Sequence, residues 1–129
     1  MAAVGYKPAD DERVKSTFAL IAERLTRNGL VSRYEPEGED QRGPEGTFGI
    51  CSFWAIEQLA MRGEIVEAEA LFVRMLSYAN DVGLFAEEIE GRTGEALGNF
   101  PQAFTHVGLI NSAMAIARGK SAPIGDQAS

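Results

Sequence analysis

The sequence predicts an all-α fold. Apolar residues recur at three- and four-residue spacings in separate stretches, as they do along one face of a helix. Most of these stretches end at a glycine-containing stop. No strong strand pairing and no internal repeat of fixed period is visible. A chain of 129 residues suffices for one domain around one modest core, so residues 1–129 read as a single helical domain.

The first helix is expected over residues 10–28. Pro8 and the acidic run Asp10-Asp11-Glu12 suit the positive end of a helix. Val14, Phe18, Ile21 and Leu25 then form one apolar stripe, and Asn28-Gly29 reads as the stop. Leu30 to Tyr34 can be extended. Glu35 to Gly46, rich in glycine, proline and acid, reads as a long loop. The second helix, 48–62, is the most apolar segment. Phe48, Ile50, Cys51, Phe53, Trp54, Ile56, Leu59 and Met61 cover nearly every side, so it should be buried all round.

Gly63 ends that helix and a third follows over 64–80, with Glu64, Glu67 and Glu69 early and Arg74 late, as the helix dipole favours. The short connection predicts a tight antiparallel αα-hairpin. Asn80-Asp81 and Gly83 stop the third helix, and Gly91 to Gly94 is a turn by composition. Pro101 suits a first helical position, opening a fourth helix over 101–118 that carries Phe104, Val107, Leu109, Ile110, Met114 and Ile116. Residues 1–7 and 119–129 read as disordered ends.

Charge and composition exclude several classes. Net charge is -7, with no Lys/Arg run, so the footprint of a nucleic-acid binder is absent and anionic membranes are disfavoured. A neutral substrate such as a sugar is compatible with this balance. Cys51 and His106 are the only cysteine and histidine, which rules out an intrachain disulfide and any multi-thiolate or multi-histidine metal site. No orienting motif makes the pair a thiol-protease dyad, and Cys51 sits in an apolar run as a small core residue would. Nothing marks a signal peptide or a membrane span, so a cytoplasmic location and no cofactor are expected.

Three stretches carry a family likeness. They are Glu45-Gly46-Thr47-Phe48 leading to Cys51-Ser52-Phe53-Trp54, then Ala79 to Glu88 (ANDVGLFAEE), then Gly98 to His106 (GNFPQAFTH). In this order and spacing the chain resembles, from about Pro8 to about Ala117, the C-terminal segment of family-15 glycoside hydrolases, the glucoamylase, glucodextranase and trehalase-like group. The resemblance implies an (α/α)6 barrel of twelve helices, of which four would be about the last third. It implies an inverting hydrolase of α-glucosides. Glu87 takes the position of the general base. Arg33, Tyr34, Glu45, Phe48 and Glu88 take substrate-contacting positions.

Read from the residues alone, Glu87, Glu88 and Glu90 also fit a solvated acidic loop. Adjacent residues point apart, so only one of Glu87 and Glu88 should face a pocket. Arg33 also fits a surface arginine stacked on Tyr34. Phe48 also fits a core residue, and Glu45 a favourable charge near a helix start.

The family's general acid lies in a Trp-Glu motif far upstream, whereas Trp54, the only tryptophan, is followed by Ala55. Half of the catalytic pair is therefore expected to be missing, and the chain alone inactive. The sequence departs from many relatives at Gly49, Ile89 and Gly43-Pro44, all near the presumed pocket. Expected partners are an α-glucoside in the complete enzyme, and either a second copy or a complementing N-terminal barrel portion. The competing reading is a non-catalytic helical interaction or oligomerisation module. A solenoid version of it would need a repeat that the chain lacks.

Overall fold

A computed structural model describes residues 4–35 and 46–121. Four helices dominate it: α1 (Glu12–Leu25), α2 (Gly49–Met61), α3 (Ile65–Leu76) and α4 (Ala103–Ser121). Asp11 caps α1, its carboxylate accepting from the Arg13 backbone N–H at 2.9 Å. The α2–α3 connection closes as a Schellman turn. Gly63, at φ 82°, lets its N–H reach Ala60 O while the Glu64 N–H reaches Leu59 O. Only a residue free to adopt positive φ makes this turn cheaply.

The expectation of helices alone was incomplete. The described residues also form five two-residue strands: β1 (Thr26–Arg27), β2 (Leu30–Val31), β3 (Thr47–Phe48), β4 (Glu88–Ile89) and β5 (Ala96–Leu97). Asn28-Gly29 does not merely stop a helix. With φ of 51° and 73° the pair forms the tight turn of the antiparallel β1–β2 hairpin. Leu30 and Val31 are buried in β2, so the expected extended stretch is strand over its first two residues only, with a bend at Arg33 and Tyr34. The other three strands form one antiparallel sheet in the order β3-β4-β5. Gly91–Gly94 is the turn between β4 and β5, with Gly94 at φ 79°.

The core gathers Leu30, Phe53, Ile56, Ala60, Ala68, Met75, Phe85, Ile89 and Ile116. Phe53 sits edge-on to Phe85 at 5.6 Å and to Phe72 at 6.4 Å. On α4 small residues face α2. A Cβ at Gly108 would stand 2.5 Å from Ile50 Cδ1, and Ser112 Oγ donates to Phe53 O at 2.8 Å.

Two boundaries moved. Pro101 follows a cis bond, and α4 starts at Ala103, two residues later than a Pro-first helix would. At its far end α4 continues past Gly119 to Ser121, fastened by the Lys120–Glu69 ion pair and by Ser121 Oγ donating to Ala117 O.

Helix α2 is not buried all round. Phe53 and Ile56 are fully buried, yet Trp54 is 50% exposed and Met61 45% exposed. Helices α3 and α4 cover only part of its circumference. Helix α1 leaves an apolar groove of about 470 Å³ against it, lined by Val14, Phe18, Ile21 and Trp54 among others.

Candidate functional site

The site grows from the turn after α3. Asn80 Oδ1 accepts from the N–H groups of Val82 (3.2 Å) and Leu84 (2.8 Å), and Gly83 at φ 80° closes the loop. This delivers Phe85 into the core and buries Ala86. Both backbone groups of Phe85 are then clamped to the start of α4. Gln102 N–H donates to Phe85 O at 2.9 Å, and Phe85 N–H donates to His106 Nε2 at 3.3 Å. His106 Nδ1 lies 2.7 Å from Gln102 O, so these two bonds place the imidazole proton on Nδ1.

Glu87 leaves this clamp as a half-buried carboxylate. Its carbonyl accepts from Gly49 N–H at 3.0 Å, tying it to the first residue of α2. Its side chain lines a cleft of about 230 Å³ together with Arg33, Phe48, Trp54, Gln102, Phe104 and others. The Arg33 guanidinium lies over the Phe48 ring at 4.1 Å from its centroid and within 5.1 Å of the Tyr34 ring centroid. Trp54 and Phe104 meet edge-to-face at 5.7 Å on another wall. The arrangement offers a carboxylate able to accept a proton, a guanidinium able to donate to hydroxyls, and aromatic faces against which a sugar's apolar face can rest.

Glu88 goes the other way. It pairs with Phe48 and Leu97 across the sheet, and its Oε2 accepts from Gly46 N–H at 3.0 Å. The alternation expected of neighbouring residues is what separates the two carboxylates. Of the sequence-derived positions, Glu87, Arg33 and Phe48 converge on the cleft, Tyr34 stacks behind Arg33, and Glu88 stands outside it. Glu45, with Gly43-Pro44, lies outside the described residues.

Gly49 does adjoin the cleft, since a Cβ there would come within 3.0 Å of Thr105 Cγ2. Ile89 does not line it and packs instead into the hydrophobic core. Sequence reasoning gave no role to Asn99, Gln102, Phe104 or Thr105, although the GNFPQAFTH stretch holds them all.

Cys51 also lines the cleft. Burial pushes its thiol up from the usual range, opposed in part by the Arg33 charge, which keeps it a poor nucleophile. His106 is engaged by Phe85 and Gln102. Among the described residues no cluster of three or more His, Cys, Asp or Glu is placed to hold a metal ion. No described helix is long and apolar enough to cross a membrane.

A mainly helical frame with short sheet ties thus brings a carboxylate, an arginine and aromatic side chains to one cleft. The family model of glycosyl hydrolases family 15 matches residues 62–114, which include Glu87, Glu88 and Asn99. Over these residues the chain is similar to family-15 glycosyl hydrolases. It is similar to the trehalase of Mycolicibacterium smegmatis, 51% identical over 117 residues, and to that of Mycobacterium tuberculosis, 49% identical over 117 residues. Each alignment takes in 89% of this chain. The trehalase of Thermoplasma acidophilum is 39% identical over 110 residues, 85% of the chain. The chain spans only 17–19% of the length of these relatives. No solved structure matches it.

Proposed function

We propose that the chain is the C-terminal part of the catalytic barrel of an inverting glycoside hydrolase, with trehalose as the α-glucoside cleaved by the complete enzyme. The observation that carries this reading is the Glu87 carboxylate set in a cleft with Arg33 and Phe48. In the proposed reaction Glu87 takes a proton from a water molecule as that water's oxygen bonds to the anomeric carbon. The glycosidic C–O bond breaks, and the leaving oxygen takes a proton from a general acid outside this chain. In inverting enzymes the two carboxyl groups stand roughly 6.5–9.5 Å apart, leaving room for the water. Arg33 would hold sugar hydroxyls, and Phe48 would cover an apolar sugar face. The trehalase names of the relatives support the choice of substrate.

Alone, the chain is expected not to hydrolyse trehalose, maltose or isomaltose. Loss of one carboxyl partner forfeits about 10²–10⁴-fold in proton transfer, and the missing walls forfeit orientation as well. Joined to a polypeptide that supplies the rest of the barrel, such as the remaining portion of the M. smegmatis trehalase, it should turn over. In that assembly Glu87→Gln should abolish turnover and leave the fold intact, whereas Glu88→Gln should be milder. If Glu88→Gln is the dead variant, the base is the neighbouring residue. Full activity in both would end the catalytic reading of this loop.

The second reading, a non-catalytic interaction module, rests on the exposed apolar residues of α2 and α4. Glucosidase activity of the assembled barrel decides against it.

A further inference from the structure

One oxygen of Glu87 is already engaged. Its Oε2 accepts from the Asn99 backbone N–H at 3.0 Å and from Asn99 Nδ2 at 2.8 Å. The backbone returns the contact, with Glu87 N–H donating to Asn99 O at 2.9 Å. Gly98 makes room for this. At φ 71° it turns the chain back, and a Cβ there would stand 2.8 Å from Glu87 Oε2. Asn99 is itself exposed, so its amide is not filling a core gap.

We propose that Asn99 is a positioning residue for the general base, holding Oε2 so that Oε1 is turned toward the water it deprotonates. This rests on the reading of Glu87 as that base. The terminal torsion of a glutamate is broad and roughly two-fold when nothing holds it. Two amide donors on one oxygen narrow it, and they also assign the two oxygens different tasks. A base displaced by about 1 Å can lose on the order of 10²-fold in rate. One of the two donors belongs to the backbone and survives substitution, so a smaller loss is expected here.

The test is run in the complete barrel, with this chain joined to a polypeptide supplying the remainder. Asn99→Ala should lower kcat by about ten-fold or more while KM for trehalose and the thermal midpoint stay nearly unchanged. Asn99→Asp keeps the shape but sets an acceptor against an acceptor, so it should be at least as harmful. A merely structural role predicts the reverse, a lowered midpoint for both variants with kcat of the folded enzyme kept. Glu87→Gln in the same assembly separates the two ideas. If it is dead while both Asn99 variants keep kcat, positioning falls and the base stands. If it keeps turnover, the base reading falls and positioning with it.

A second measurement needs no turnover. In the isolated chain, the side-chain amide signals of Asn99, followed by NMR, should move when Glu87→Gln removes the charged acceptor. Amide signals that ignore the carboxylate overturn the proposal.

Discussion

At the scale of single residues, the separation of Glu87 from Glu88 was readable in the sequence, because neighbouring side chains on extended backbone must diverge. The partner of Glu87 was not readable. Asn99 reaches it only through the turn at Gly98 and the β4–β5 hairpin, and no local spacing announces a contact made by loop geometry. The cap of α1 was half readable, since the acidic run was plain but the choice among Asp10, Asp11 and Glu12 was not.

That cap has a pH signature. Hydrogen bonds from the Arg13 side chain and backbone lower the Asp11 carboxyl from 3.8 to about 2. A carboxyl depressed on folding adds stability that is fully present above its unfolded value and is lost as pH falls through its folded one. The cap's contribution should therefore persist above pH 3.8 and fade as pH falls towards about 2. Thermal melts of Asp11→Ala should start below those of the parent at neutral pH, and the gap should shrink as pH falls through that window. A gap that is constant with pH would show that the carboxylate charge contributes nothing.

Among elements, the four helices were legible because their apolar periodicity is long, and the strands were not because each is two residues. Asn28-Gly29 shows how one signal serves two structures. Both a helix stop and a hairpin turn need positive φ, and only the pairing of Thr26 with Val31 decides between them. The apolar residues of α4 marked it as a helix, yet Phe104, Val107, Ile110 and Met114 are exposed and the small residues on its buried face were passed over. They set how closely α4 approaches α2. Gly108→Val would push a side chain into Ile50 and Phe53, where even a Cβ finds 2.5 and 2.9 Å. Replacing a helical glycine helps by up to about 1 kcal/mol, but overpacking costs about 1–3 kcal/mol, so the variant should be less stable. A urea titration should show a lower midpoint at an unchanged slope. An unchanged or higher midpoint would mean that the two helices separate without penalty.

For the whole molecule, the decisive property is what α2 and α4 leave uncovered. Trp54, Phe104, Val107, Ile110 and Met114 are each about half exposed, and the groove along α1 adds more apolar surface. A helix apolar all round, placed in a chain with partners on only part of it, predicts surface seeking cover. The isolated chain should therefore self-associate, and addition of the complementing barrel portion should compete with that association. Light scattering that finds a monomer at high protein concentration would count against both. The sequence made α2's hydrophobicity plain. It gave no sign of which sides would be covered, because that depends on where α3 and α4 pack.

The β3–β4–β5 register also governs where the chain tolerates a change of length. Thr47 faces Ile89 and Phe48 faces Glu88, while Ala96 and Leu97 close the other edge. One residue added between Phe85 and Glu87 would slip this ladder by a step, setting Glu87 in the place of Glu88 facing Gly46 and Glu88 in the buried place of Ile89. One residue added at Arg92–Thr93 falls in the turn beyond the ladder and leaves the register alone. Loop grafts and labels therefore belong at that tip, while the few residues before β4 act as a fixed ruler between the α3 turn and the carboxylate.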